Sequence, residues 1–135
     1  MDPKILDLIR EDSRFAYEAY EFVCDAVSYT QDKLGRADDE AEREDKHVSG
    51  GDLLRGACEL AVREFGMMAP LVFKMWGVRT TDDFGAMVFR LIETQRLSKS
   101  DRDDPADFHD VFDLNETLTS GFELTVGERR RKGDR

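Results

Sequence analysis

Six side chains of metal-ligating type crowd ten residues of this 135-residue chain: Asp101, Asp103, Asp104, Asp107, His109 and Asp110. Carboxylate oxygens at that density are hard ligands for calcium or magnesium. The spacing nevertheless defeats a dedicated calcium loop. Counting from Asp101, the fifth position is Pro105, the sixth (where the sharp turn needs Gly) is Ala106, and the twelfth (where a bidentate Glu belongs) is Phe112. Neither His47 nor His109 has a second His or Cys at ligand spacing, so no zinc site and no cofactor is expected.

Nucleophilic chemistry has thin ingredients. Cys24 and Cys58 stand among apolar residues at helical spacing, and without an export signal both read as reduced core thiols. Were a thiol reactive, Cys58 with His109 and the nearby acids would be the set to carry it, giving a small enzyme with a site between helices. Asp82 and Asp83 look like paired carboxylates, but their place at a helix start assigns them to capping and the helix dipole. The methionines Met67, Met68, Met75 and Met87 cluster with Phe73 and Trp76, and core filling is the expected use of them, ahead of a pliable binding groove.

Charge bounds the partners. The net charge is −10, and residues 128–135 carry five bases against two acids, so the preceding 127 residues hold −13. Such a body repels nucleic-acid phosphates and favours cationic partners. The run Arg129–Lys132 is the one feature that offers RNA a contact. The longest apolar stretches are broken by Arg63, Glu64, Lys74 and Arg90, far short of the roughly 20 apolar residues a membrane span requires. The chain opens without a basic then apolar leader, and a cytoplasmic location is expected.

The elements that position these groups declare their own ends. Asp2-Pro3 caps a first helix that stops near Asp12. A second runs from about Phe15 to Leu34, with Ala16, Tyr20, Val23, Val27 and Leu34 as its apolar stripe, and halts at Gly35. Residues 36–46 hold six acids and three bases with nothing apolar larger than alanine, the composition of a mobile connector. Ser49 and Asp52 open a third helix from Gly50 to Phe65, stapled by Val48 and Leu53. A fourth spans Met67–Trp76 between the glycine corners Gly66 and Gly77. Thr80 to Asp83 opens a fifth, which runs to about Arg96 and carries Gly85 where a neighbouring helix should come close, under Trp76.

The third to fifth helices, followed by a polar loop and the alternating Val111, Phe112 and Leu114, share the order of a winged helix-turn-helix. That reading places a small β-hairpin near 97–114. Its chemistry opposes DNA: the helix that would read bases starts with Asp82 and Asp83, and the wing carries five aspartates against Lys99 and Arg102.

His47-Val48-Ser49-Gly50, Phe65-Gly66, Trp76-Gly77-Val78 and Asp83 through Phe89 resemble a family of small bacterial proteins of unknown function, as do Asp107-Phe108 and Phe112-Asp113-Leu114. The resemblance covers about Ile5 to Leu118 and implies one domain, with no activity or site to carry over. The sequence as a whole reads as an all-α bundle of five or six helices over residues 1–118, with a partly disordered tail at 119–135 that is basic over its last eight residues. The expected function is a non-catalytic interaction or regulatory module whose partner is another protein. Its expected surface is Arg79, Thr80, Asp82, Asp83, Arg90, Lys99 and Arg102, with the rest of the 98–110 loop.

Overall fold

The computed structural model describes residues 1–37, 48–97 and 104–120. Most of the acidic connector, His47, Lys99, Arg102, residues Asp101 and Asp103 of the acidic cluster, and the Arg129–Lys132 run lie outside the described residues. The fold is all-α, and several helices begin where a side chain satisfies backbone N–H groups that have no intrahelical partner. The Asp2 carboxylate accepts from the Lys4 N–H at 2.9 Å and starts α1 (Pro3–Glu11), with Pro3 in the first turn. Ser49 accepts from the Asp52 N–H at 3.0 Å and starts α3 (Gly50–Phe65).

Between them, α2 (Tyr17–Ala37) runs two residues past Gly35, where a stop was expected. Gly35 does not take the left-handed backbone that ends a helix, and a helical glycine costs only about 1 kcal/mol relative to alanine. The buried stripe of α2 is Ala19, Tyr20, Phe22, Val23, Ala26 and Thr30. Leu34, expected in the stripe, is exposed.

A 3-10 turn (Gly66–Met68) precedes α4 (Ala69–Trp76), so the fourth helix starts later than its apolar pattern indicates. Gly77 ends α4 at φ +89°, and a Cβ there would lie 2.6 Å from the Arg14 carbonyl oxygen. Helix α5 (Thr81–Glu93) opens with a complete capping box and closes three residues before its expected end. There Gln95 turns to φ +66° and the Arg96 N–H bonds back to the Leu91 carbonyl.

The winged-helix reading finds no support among the described residues. Among the described residues there is no strand. Pro105–Phe108 is a second 3-10 turn capped by Asp104, and a helix over 114–120 (α6) follows it. Leu114 and Leu118 are both buried, one helical turn apart, so the period at this end of the domain is helical and not alternating.

One hydrophobic core joins all six helices: Ile5 and Leu8, Tyr20 and Val23, Leu54 and Ala61, Phe73, Phe84 and Leu91, Leu114 and Leu118. Among α1 to α5 and the two 3-10 turns, α2 and α3 pack most extensively. Gly85 has the close neighbour its position implied, but that neighbour is a side chain from the second 3-10 turn and not a helix at Trp76. A Cβ on Gly85 would meet the Phe108 Cβ at 2.5 Å, and one on Gly50 would meet the Asp107 Cβ at 2.8 Å. Two side-chain-free positions on α3 and α5 thus seat this turn and bury Phe108.

Candidate interaction face

Apart from Lys74, helix α4 is apolar on every side, a pattern that ordinarily belongs to a helix covered all round. Its inner face is covered. Phe73 and Trp76 join Phe22 and Phe65 in an aromatic cluster, with ring centroids 5.5 Å apart for Phe22–Phe73 and for Phe22–Trp76, and 5.8 Å for Phe65–Trp76. Its outer face is bare. Met67, Met68, Leu71 and Met75 are 73, 53, 45 and 72% exposed. Spacings of three, four and seven residues place them on a single stripe of the turn and helix. The methionines expected in the core are therefore mostly outside it: of the four, Met87 is buried. Packing Phe73 and Trp76 inward orients the other side of so short a helix toward solvent.

Along the edge of the stripe lies a groove of about 270 Å³ between α4 and α6. Phe73, Val78, Leu114 and Leu118, all buried, form its floor, and Lys74 and Arg79 stand on its rim. Among the described residues neither of these two cationic side chains has an ion-pair partner. Neither expectation for charge prepared for this. The stretch from Phe65 to Thr81 contains no acidic residue in a chain that holds 30, and the next longest acid-free stretch spans nine residues. That interruption was the sequence signal for this face. Hydrophobic periodicity reports which residues share a side, whereas the missing acids report which side is not an ordinary solvated surface.

The surface expected from the sequence divides in the structure. Arg79 is exposed and borders the groove. Thr80 caps α5, accepting from the Asp83 N–H at 3.1 Å. Asp83 is buried and fully engaged, taking the N–H groups of Arg79 at 2.9 Å and Thr80 at 3.2 Å as well as the Arg14 guanidinium. Arg90 reaches α1, donating to the Leu8 carbonyl at 3.0 Å and pairing with Asp12 at 3.4 Å. Asp83 and Arg90 are thus internal ties between α5 and the N-terminal part of the chain, and neither presents a charge for a partner to meet. Lys99 and Arg102 fall outside the described residues.

Asp82 has a different use. Its carboxylate holds His109 Nδ1 at 2.8 Å and accepts from the Asp110 N–H at 2.7 Å, while Thr81 Oγ1 accepts from the Val111 N–H at 3.1 Å. Together these bonds latch the second 3-10 turn to the start of α5. The hydrogen bond that His109 donates to the Asp82 carboxylate raises the His109 pKa above the usual histidine value, and the Asp110 N–H and His109 lower that of Asp82. The signs define a window. The histidine contribution is complete below about pH 6.5 and fades as pH rises through its raised folded value, and the aspartate contribution holds above about pH 3.9. Asp82→Asn is expected to return the His109 midpoint toward about 6.5, followed by the imidazole proton resonances in an NMR titration. An unchanged midpoint would show that Asp82 is not the group that raises it.

The latch also separates His109 from the thiol chemistry that sequence allowed. Cys58 is buried in α3, and burial pushes its thiol up to about 12, so it stays protonated near neutral pH. Cys24 is half-buried and its pKa is likewise raised by burial. Within the described residues no three His, Cys, Asp or Glu side chains converge in an arrangement for a metal ion, and no helix is long and apolar enough to cross a membrane. No protein-family model, curated protein or solved structure matches this chain.

Proposed function

We propose that this chain is a protein-interaction module that acts without catalysis and docks its partner on the outer face of α4. The observation that carries the reading is the stripe Met67, Met68, Leu71 and Met75, four large apolar side chains left in water on an acid-free element. Scattered exposed apolar residues need no explanation, but a contiguous set of this kind marks binding surfaces. Methionine suits the role, since its flexible thioether chain adapts to the partner's relief. The inner aromatic cluster supplies the rigidity: α4 is pinned through Phe73 and Trp76, so docking does not require the helix to order first.

Leu71→Glu combined with Met75→Glu tests the reading. Both side chains are exposed, so the fold should keep its helicity and its thermal midpoint within a few degrees. A partner captured from host lysate by the parent chain should be lost with the double variant, because two carboxylates would have to be buried in an apolar interface. Undiminished capture by a folded double variant would remove the α4 face from the role. A reading in which Arg129–Lys132 binds nucleic acid concerns residues outside those described.

A further inference from the structure

We infer that the groove beside α4 receives an acidic, apolar peptide segment of the partner, one that places a hydrophobic side chain on the groove floor and carboxylates against Lys74 and Arg79. This rests on the α4 face being the docking surface and adds the partner's chemistry.

Size is the first argument. A groove of about 270 Å³ falls below the roughly 300–1,000 Å³ of pockets that enclose a whole small ligand, and suits one or two side chains of a longer segment lying across it. The continuation of its rim into the methionine stripe gives the rest of that segment an apolar track: Lys74 stands one helical turn from Leu71 and next to Met75 in sequence. Beneath the two cations the lining is Pro70, Phe73, Val78, Leu114 and Leu118 with the single amide of Asn115, a bed that favours an apolar anchoring side chain.

Charge is the second argument, and it runs against the sign of the whole protein. A body carrying −13 over residues 1–127 attracts cations at long range. At physiological ionic strength that field decays over about 8 Å, so at contact the local rim decides. The rim offers an ammonium and a guanidinium that no described residue pairs, and no carboxylate lines the groove. An anionic membrane could in principle meet the same two cations, but an extended anionic plane would also face the surrounding acids of the body. A narrow peptide touches the rim alone.

The probes are two synthetic amphipathic peptides with one shared Leu/Phe face, the remaining positions being Glu in the first and Lys in the second. They are titrated into the full-length ¹⁵N-labelled protein, with phosphatidylserine vesicles in a parallel arm. The acidic peptide is expected to shift the amides of Phe73, Lys74, Val78, Arg79, Leu114 and Leu118, and to bind at least about tenfold more tightly than the basic one. Lys74→Glu with Arg79→Glu should reverse that order, and Lys74→Ala with Arg79→Ala should abolish it while leaving the circular dichroism unchanged. The reversal cannot come from general stickiness or from loss of folding. If the basic peptide shifts the same amides more strongly, the docking face stands and the acidic partner class is overturned. If neither peptide acts there, if only the vesicles bind, or if those amides shift with protein concentration alone because a second copy occupies the groove, the proposal is overturned. The lysate experiment with Leu71 and Met75 then reports separately on the face itself.

Discussion

Asp83→Ala is expected to lower the stability of the fold by about 3 kcal/mol, roughly 10 °C in thermal midpoint for a domain of this size. The carboxylate is buried and serves three donors: two backbone N–H groups at the mouth of α5 and the guanidinium of Arg14. Removing it deletes half of a capping box, for which about 0.5–2 kcal/mol is usual, and leaves partly buried donors without an acceptor, which adds about 1–3 kcal/mol. Graded variants separate the contributions. Asp83→Asn keeps an oxygen for the backbone donors and should cost about half as much. Thr80→Ala removes the reciprocal bond alone and should cost about 1 kcal/mol. Arg14→Ala should cost less than about 1 kcal/mol, because the Arg14 side chain is more than half exposed and its ion pair is screened. Chemical denaturation of the four variants checks the order. If Arg14→Ala proved the most damaging, the site would be an ion pair first and a cap second, contrary to its geometry.

Asp83 also shows how far the sequence reaches. Its position at the start of α5, three residues after Thr80, was enough to assign a capping role. That the same carboxylate would be buried, and tied to a residue 69 positions earlier, follows from how α2 and α5 pack, which no local pattern encodes. Arg90 repeats the lesson, with a partner carbonyl 82 residues away. Local chemistry made the helix starts at Asp2, Ser49 and Thr80 legible, along with the all-α class, because a cap is a bond between neighbours in the chain. The hairpin expected near 97–114 failed for a related reason. Val111, Phe112 and Leu114 alternate over four residues, too short a window to separate a strand from the entrance to a helix, and the deciding partner of Leu114 is Leu118.

The candidate site was the least legible part. Apolar residues clustered with aromatics are the usual mark of a core, and Met67, Met68 and Met75 beside Phe73 and Trp76 are expected there by that rule. The rule counts apolar faces without counting the elements available to cover them. With α2 and α3 already beneath Phe73 and Trp76, nothing described in the chain remains to lie over the outer stripe of α4. The charge distribution over the same stretch carries that information, and it is the more useful signal in a chain where acids are otherwise spread through every segment.

The closeness of α2 and α3 sets the second large effect. At Gly56 an added Cβ would lie 1.9 Å from the Thr30 hydroxyl oxygen and 3.0 Å from the Thr30 Cβ. Thr30 is buried, and its hydroxyl has no hydrogen-bond partner there, so the contact is one of shape and not of bonding. Gly56→Ala must therefore push the two longest helices apart. Overpacking of this kind costs about 1–3 kcal/mol, at the upper end for an approach of 1.9 Å, and alanine's better helix propensity returns about 1 kcal/mol, so a net loss of up to about 2 kcal/mol is expected. Thr30→Ala alone should be nearly neutral, because the methyl contacts it gives up are offset by removing a hydroxyl that burial leaves unsatisfied. The two substitutions together should recover about 1 kcal/mol beyond additivity in a double-mutant cycle, with the residual cost set by two Cβ atoms still in tight contact. Strict additivity would mean that Gly56 is small for the backbone's sake and that the helices do not meet at Thr30. Recovery would identify this pair as the point that fixes how closely α2 and α3 approach, and with it the depth of the bed on which Phe22 and Phe65 support α4.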